Sequence, residues 1–151
     1  MHQFKTHQLL PISISEAWSF FSSPENLSKI TPPEMDFKIL TPNLPNKIYN
    51  GMLVDYMVKP IFGIKMKWKT EIMNVAQEKY FIDKQLVGPY SVWEHKHLFE
   101  ANQNGVLMTD IVNYKLPFGL LGKLIHFIFI RRKIESIFEF RKNILDKLFH
   151  Q

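Results

Sequence analysis

The chain of 151 residues contains no cysteine. Without thiols there is no disulfide framework, no thiol nucleophile and no cysteine-ligated zinc or iron–sulfur centre. A chain of this length needs no such staple, because it can bury roughly two thirds of the surface its unfolded form exposes. Glycine is scarce, at six residues. There is no glycine-rich phosphate loop and no Gly-x-Ser-x-Gly elbow, which argues against nucleotide-dependent and serine-hydrolase chemistry. No internal repeat or low-complexity linker divides the chain. The longest nearly uncharged apolar stretch, Leu124 to Ile130, is far short of the ~20 residues of a membrane-spanning helix. The opening MHQFKTHQLL lacks the basic segment and apolar run of a signal peptide. We therefore expect one domain over residues 1–151, located in the cytoplasm, with no stable membrane insertion and a monomeric or homodimeric state.

Aromatic residues are abundant: thirteen Phe, five Tyr and three Trp make up 14% of the chain. Such a chain fills a large core with rings or lines a cavity with them. The net charge of +5 favours solubility and weak attraction to anions.

Residues 2–10 alternate and read as a first strand. Ser13-Ile14-Ser15-Glu16 fits a capping box ahead of a short helix carrying Ala17, Trp18, Phe20 and Phe21. Ser23-Pro24 starts a second short helix, with Ser as N-cap and Pro at the first helical position, which Thr31-Pro32-Pro33 ends. From Met35 to Leu116 the period is two, and strands are predicted at about 35–40, 51–59, 64–72, 79–86, 90–101 and 106–116. Ile64 to Ile72 is the clearest, with Lys65, Lys67 and Lys69 on the wet face. That lysine face carries no aromatic platform for stacking bases, so we expect no nucleic-acid partner. From Leu120 to Phe149 the period returns to 3.6. The predicted stripe of that helix includes Phe127, Ile130, Ile134, Phe138 and Leu145, interrupted by Arg141. An Arg in such a stripe is expected to snorkel towards water.

Turn lengths fix which residues share a face. A two-residue turn at Gln103-Asn104 or Asn104-Gly105 places Trp93, His95, His97 and Phe99 with Met108, Asp110, Val112 and Tyr114. A three-residue turn at Val87-Gly88-Pro89 adds Phe81, Asp83 and Gln85, and a turn near Val75–Glu78 adds Trp68, Thr70 and Ile72. The inner face is thus a mixture of rings with two acids, two imidazoles and an amide. Unpaired buried polar groups cost several kcal/mol, so this mixture implies mutual pairing or a solvated cavity.

Three segments carry a family resemblance: Phe81-x-Asp83-x-Gln85-x-x-Gly88-Pro89-Tyr90, Trp93-x-His95-x-His97-x-Phe99 and Asp110-x-Val112-x-Tyr114-x-Leu116-Pro117-Phe118-Gly119. With Ser23-Pro24-Glu25-Asn26-Leu27, Ile30-Thr31-Pro32-Pro33 and Ile137-Phe138-x-Phe140-Arg141, the chain resembles the ligand-binding SRPBCC proteins. These belong to the START-like (polyketide cyclase/dehydrase and lipid transport) superfamily. The resemblance implies an α+β helix-grip fold: a seven-stranded antiparallel sheet around a long C-terminal helix, with two short helices after the first strand. It also implies a cavity between sheet and helix, flanked by the segment before the last helix.

The expected function is the binding of a small, largely apolar ligand, whether lipid, polyketide-like or isoprenoid-like, without a cofactor. Trp68, Thr70, Phe81, Gln85, Trp93, Phe99, Val112, Tyr114 and Phe127 are the candidate ligand-binding residues. His95, His97, Asp83 and Asp110 orient a polar group of the ligand. In the alternative, they are the catalytic residues of a cofactor-independent cyclase, dehydratase or isomerase, with His97–Asp110 or His95–Asp83 as a general-base dyad. His95-x-His97 with an acid also has metal-ligand character. Imidazoles bonded to carboxylates are the expectation instead, with no metal. The apolar segment 120–130 reads as a helix end, a gate to the cavity, or a patch for a membrane or second subunit.

Overall fold

The computed structural model describes residues 1–150, apart from the side chains at positions 122, 126 and 127. Seven antiparallel strands form one sheet: β1 (His2–Leu10), β2 (Lys38–Ile39), β3 (Met52–Ile61), β4 (Ile64–Ala76), β5 (Tyr80–Val87), β6 (Val92–Asn102) and β7 (Gly105–Lys115). Their spatial order is β1-β7-β6-β5-β4-β3-β2. Helix α1 (Ile14–Phe21) follows β1, α2 (Gly119–Ile125) follows β7, and a π turn (His126–Ile130) runs into α3 (Arg131–Phe149). This is the sheet and closing helix expected from the sequence.

Local chemistry accounts for the elements. Ser13 Oγ accepts the Glu16 amide at 3.2 Å, and the Ser13 amide donates to the Glu16 carboxylate at 2.9 Å, which closes the capping box of α1. The Pro24–Ile30 segment differs from expectation. It is a 3-10 helix, and Ser23 makes no side-chain cap. Its tighter turns, with Asn26 Nδ2 donating to the Phe20 carbonyl at 2.9 Å, tie it back to α1. The predicted strand at 35–40 also shrinks to Lys38–Ile39, because Pro33–Met35 forms a 3-10 turn and Asp36 turns left-handed at φ 46°.

The register between β6 and β7 runs from Val92↔Lys115 to Asn102↔Gly105, so the hairpin turn is Gln103-Asn104. Gly105 has φ 131°, and a Cβ there would stand 2.0 Å from the Leu10 carbonyl oxygen. Only glycine fits at this close approach. β5 and β6 are joined by four residues rather than three, yet Phe81 still faces His97 and Asp83 still faces His95. The parity of the inner face is therefore as read from the turns.

α3 lies towards the β1–β7 end of the sheet. The rings of Phe4 on β1 and Phe138 on α3 meet tilted, with centroids 4.9 Å apart, and Gln8 Nε2 donates to the Lys142 carbonyl at 3.0 Å. Met108, Val112 and Tyr114 on β7 and Ile134, Phe138 and Leu145 on α3 are buried. The other half of the concave face, over β3–β6, is left open beneath the helix.

Candidate functional site

A cavity of about 200 Å³ occupies that open half, well above the ~10–15 Å³ that one water needs. Its sheet wall includes Tyr56 on β3, Trp68 and Thr70 on β4, Phe81 and Asp83 on β5, and Trp93, His95 and His97 on β6. α3 contributes Ile134, Ile137, Phe138 and Arg141, while α1, the 3-10 segment and β2 supply residues such as Phe21, Ile30 and Ile39.

Of the nine residues read from the sequence as ligand contacts, Trp68, Thr70, Phe81 and Trp93 stand in this wall. Gln85, Phe99, Val112 and Tyr114 are absent from it, each for a local reason. Gln85 Nε2 donates to the Tyr90 carbonyl at 2.6 Å, clasping the β5–β6 connection. Phe99 is covered by Trp18 and Phe21, with centroids at 5.7 and 5.5 Å. Val112 and Tyr114 are on β7, whose residues contribute nothing to the wall. Phe127 lies outside the described side chains. Sequence reading passed over Tyr56 and expected Arg141 to snorkel, yet both stand in the wall. The alternation of Met52, Val54, Tyr56 and Val58, all buried, would have placed Tyr56, whose hydroxyl hydrogen-bonds Thr70.

The four titratable residues come together, but the pairing is crossed. Across the ladders His97 faces Asp110 and His95 faces Asp83. The short hydrogen bonds run diagonally: His95 Nε2 to Asp110 Oδ1 and His97 Nε2 to Asp83 Oδ2, both 2.7 Å. The directly facing contacts are longer, 3.5 Å from His95 Nδ1 to Asp83 and 3.2 Å from His97 Nδ1 to Asp110. This corrects the dyads expected from parity. The two imidazoles lie against each other, tilted by 36°, with 3.8 Å between centroids.

Electrostatics separates the two rings. Burial favours neutral His95, the charge of His97 adds to that, and its pKa falls below the ordinary 6.5. Burial also opposes charge on His97, but Asp110 and Asp83 outweigh it and hold its pKa above 6.5. For Asp110, burial is outweighed by the Arg141 charge and the imidazole hydrogen bonds, so its carboxyl sits well below the usual range. Asp83 is also lowered: burial opposes ionisation, and the His95 charge and the His97 hydrogen bond overcome it. Asp83, His95 and His97 hold potential ligand atoms within 4.8 Å of one another. A cation there would have to displace the hydrogen bonds already made within the cluster.

Arg141 also departs from expectation. It does not snorkel; only 6% of it is exposed, and its Nη1 is 3.5 Å from Asp110 Oδ1.

None of the described side chains from 119 to 129 lines the wall. Leu120 is 81% exposed, Leu121, Leu124 and Phe129 are exposed too, and Phe129 meets the exposed Phe62 at 5.5 Å. No helix of the described residues is long and apolar enough to cross a membrane.

No family model matches the sequence, and no curated protein matches it. Solved structures do. A START superfamily protein from Mycobacterium smegmatis superposes with a TM-score of 0.73 at 13% identity, covering 100% of this chain and 99% of that one. The fold is START-like. The KanY protein gives 0.73 at 12% identity over 100% of both chains, and protein CV1439 from Chromobacterium violaceum gives 0.72 at 12% identity over 99% and 97%. Within the START-like helix-grip fold, the place between sheet and C-terminal helix is where this chain keeps its cavity and its ionisable cluster.

Proposed function

We propose that the chain binds a small, largely apolar molecule in the cavity between β3–β6 and α3, as a cytoplasmic monomer or homodimer. The observation that carries this reading is the wall itself: Trp68, Phe81, Trp93 and Ile137 offer apolar contact area, and Asp83, His95 and His97 gather at one side of it. Pockets built this way take the body of a ligand by apolar contact and fix its orientation by a few polar groups. Native mass spectrometry of gently purified protein, paired with displacement of a fluorescent fatty acid, tests it. A bound or displaceable ligand is expected. Silence across a broad lipid and polyketide panel would end the proposal.

One observation favours catalysis as a second reading. His95 is held neutral beside the cavity while its Nε2 is fixed on Asp110, the arrangement of an oriented general base. It would remove a proton next to a carbonyl without a cofactor. On this reading His95→Gln abolishes turnover while the melting temperature stays nearly unchanged.

A further inference from the structure

Arg141 stands on the buried stripe of α3 between Phe138 and Leu145, in the cavity wall. One of its nitrogens, Nη1, faces an anion, Asp110. Nε and Nη2 are buried with no hydrogen-bond partner. Those two atoms share one edge of the guanidinium plane, the edge that presents parallel N–H bonds to a carboxylate. Phe21 and Phe138 flank the guanidinium at 5.4 and 5.7 Å and restrict where that plane can turn.

Nothing within the cluster satisfies this edge. Asp110 Oδ1 is already shared by Nη1 and both imidazoles, and Asp83 is engaged by His97 and His95. Unmet donors on a buried charge are costly, so an arriving acceptor gains more here than at an exposed arginine.

We infer that Arg141 receives the carboxylate of an apolar monocarboxylic acid, its free edge taking both oxygens. This rests on the ligand-binding reading above and names the polar end of the ligand. A carboxylate is favoured over a phosphate monoester because Arg141 is the sole Lys or Arg among the described wall residues. A second negative charge and a third oxygen would find no further Lys or Arg, and the His97 ring is already taken up by Asp83 and Asp110.

The test compares decanoate, decan-1-ol and decyl phosphate on the full chain, by calorimetry and by quenching of the tryptophan fluorescence. Decanoate is expected to bind about ten- to a hundredfold more tightly than decan-1-ol, the range a charge-assisted pair supplies. The variant Arg141→Met is expected to bind acid and alcohol alike. A shift of the Arg141 Nε resonance with decanoate, and not with decan-1-ol, decides the matter in the wild-type chain should the variant fail to fold. Equal affinity for acid and alcohol in the wild type overturns the inference and leaves the apolar site standing. Tighter binding of decyl phosphate than decanoate overturns the carboxylate. No binding by any of the three, with no ligand seen by native mass spectrometry, overturns the binding reading and this inference together.

Discussion

His95 reaches Asp110 at 2.7 Å although the residue facing Asp110 across the ladder is His97. The crossed bonds set each imidazole between two carboxylates. Burial and the neighbouring His97 lower the pKa of His95, while Asp110 and Asp83 raise that of His97.

That division is visible by titration. Imidazole nitrogen shifts should show His97 protonated and His95 neutral at pH 6.5, since their pKa values move to opposite sides of that value. The sign for stability follows from linkage. The His97 contribution is complete below about pH 6.5 and is lost as pH rises through its higher folded pKa. The Asp83 and Asp110 contributions are present above the ordinary carboxylate value and are lost as pH falls through their lowered ones. Two rings titrating together at 6.5 would contradict the crossed cluster.

Asp110→Asn removes the one carboxylate shared by Arg141 and both imidazoles. A buried charge left without its partner costs about 3–5 kcal/mol, so a large fall in urea midpoint is expected. Asp83→Asn should cost less, because the Asp83 side chain is 20% exposed against 8% for Asp110. Equilibrium denaturation of both variants checks the order.

Ile137 is half-buried in the cavity wall. Ile137→Trp fills space rather than emptying it, so it should weaken the fluorescent fatty acid by at least about tenfold, roughly 1.4 kcal/mol, with little change in melting temperature. Unchanged affinity would mean that the probe binds elsewhere.

Gly105→Ala places a Cβ 2.0 Å from the Leu10 carbonyl at a φ of 131°. A loss of about 1–3 kcal/mol is expected, read as a lower melting temperature. The β1–β7 ladder, whose last pair is Leu10↔Val106, should lose amide protection first.

The period-two pattern and the two-residue turn at Gln103-Asn104 determine by themselves that His95, His97 and Asp110 share a face, because side chains alternate strictly along a strand; Asp83 joins them although the β5–β6 connection is one residue longer than the sequence suggested. The same alternation and the closing 3.6-residue period specify a sheet with a helix across it. The sequence could not say which of the inward residues line a cavity. That depends on where α3 lies: it packs on β1 through Phe138 and Phe4, and it leaves Trp68, Phe81 and Trp93 in the wall of the cavity over β3–β6. Nor could parity choose between facing and diagonal bonds, because side-chain torsions select the partner after the backbone has fixed the neighbours. Arg141 shows the limit most plainly. A lone cation on an apolar stripe is usually drawn to water, and only the approach of α3 to β7 brings it to Asp110 and keeps it buried with one edge unmet.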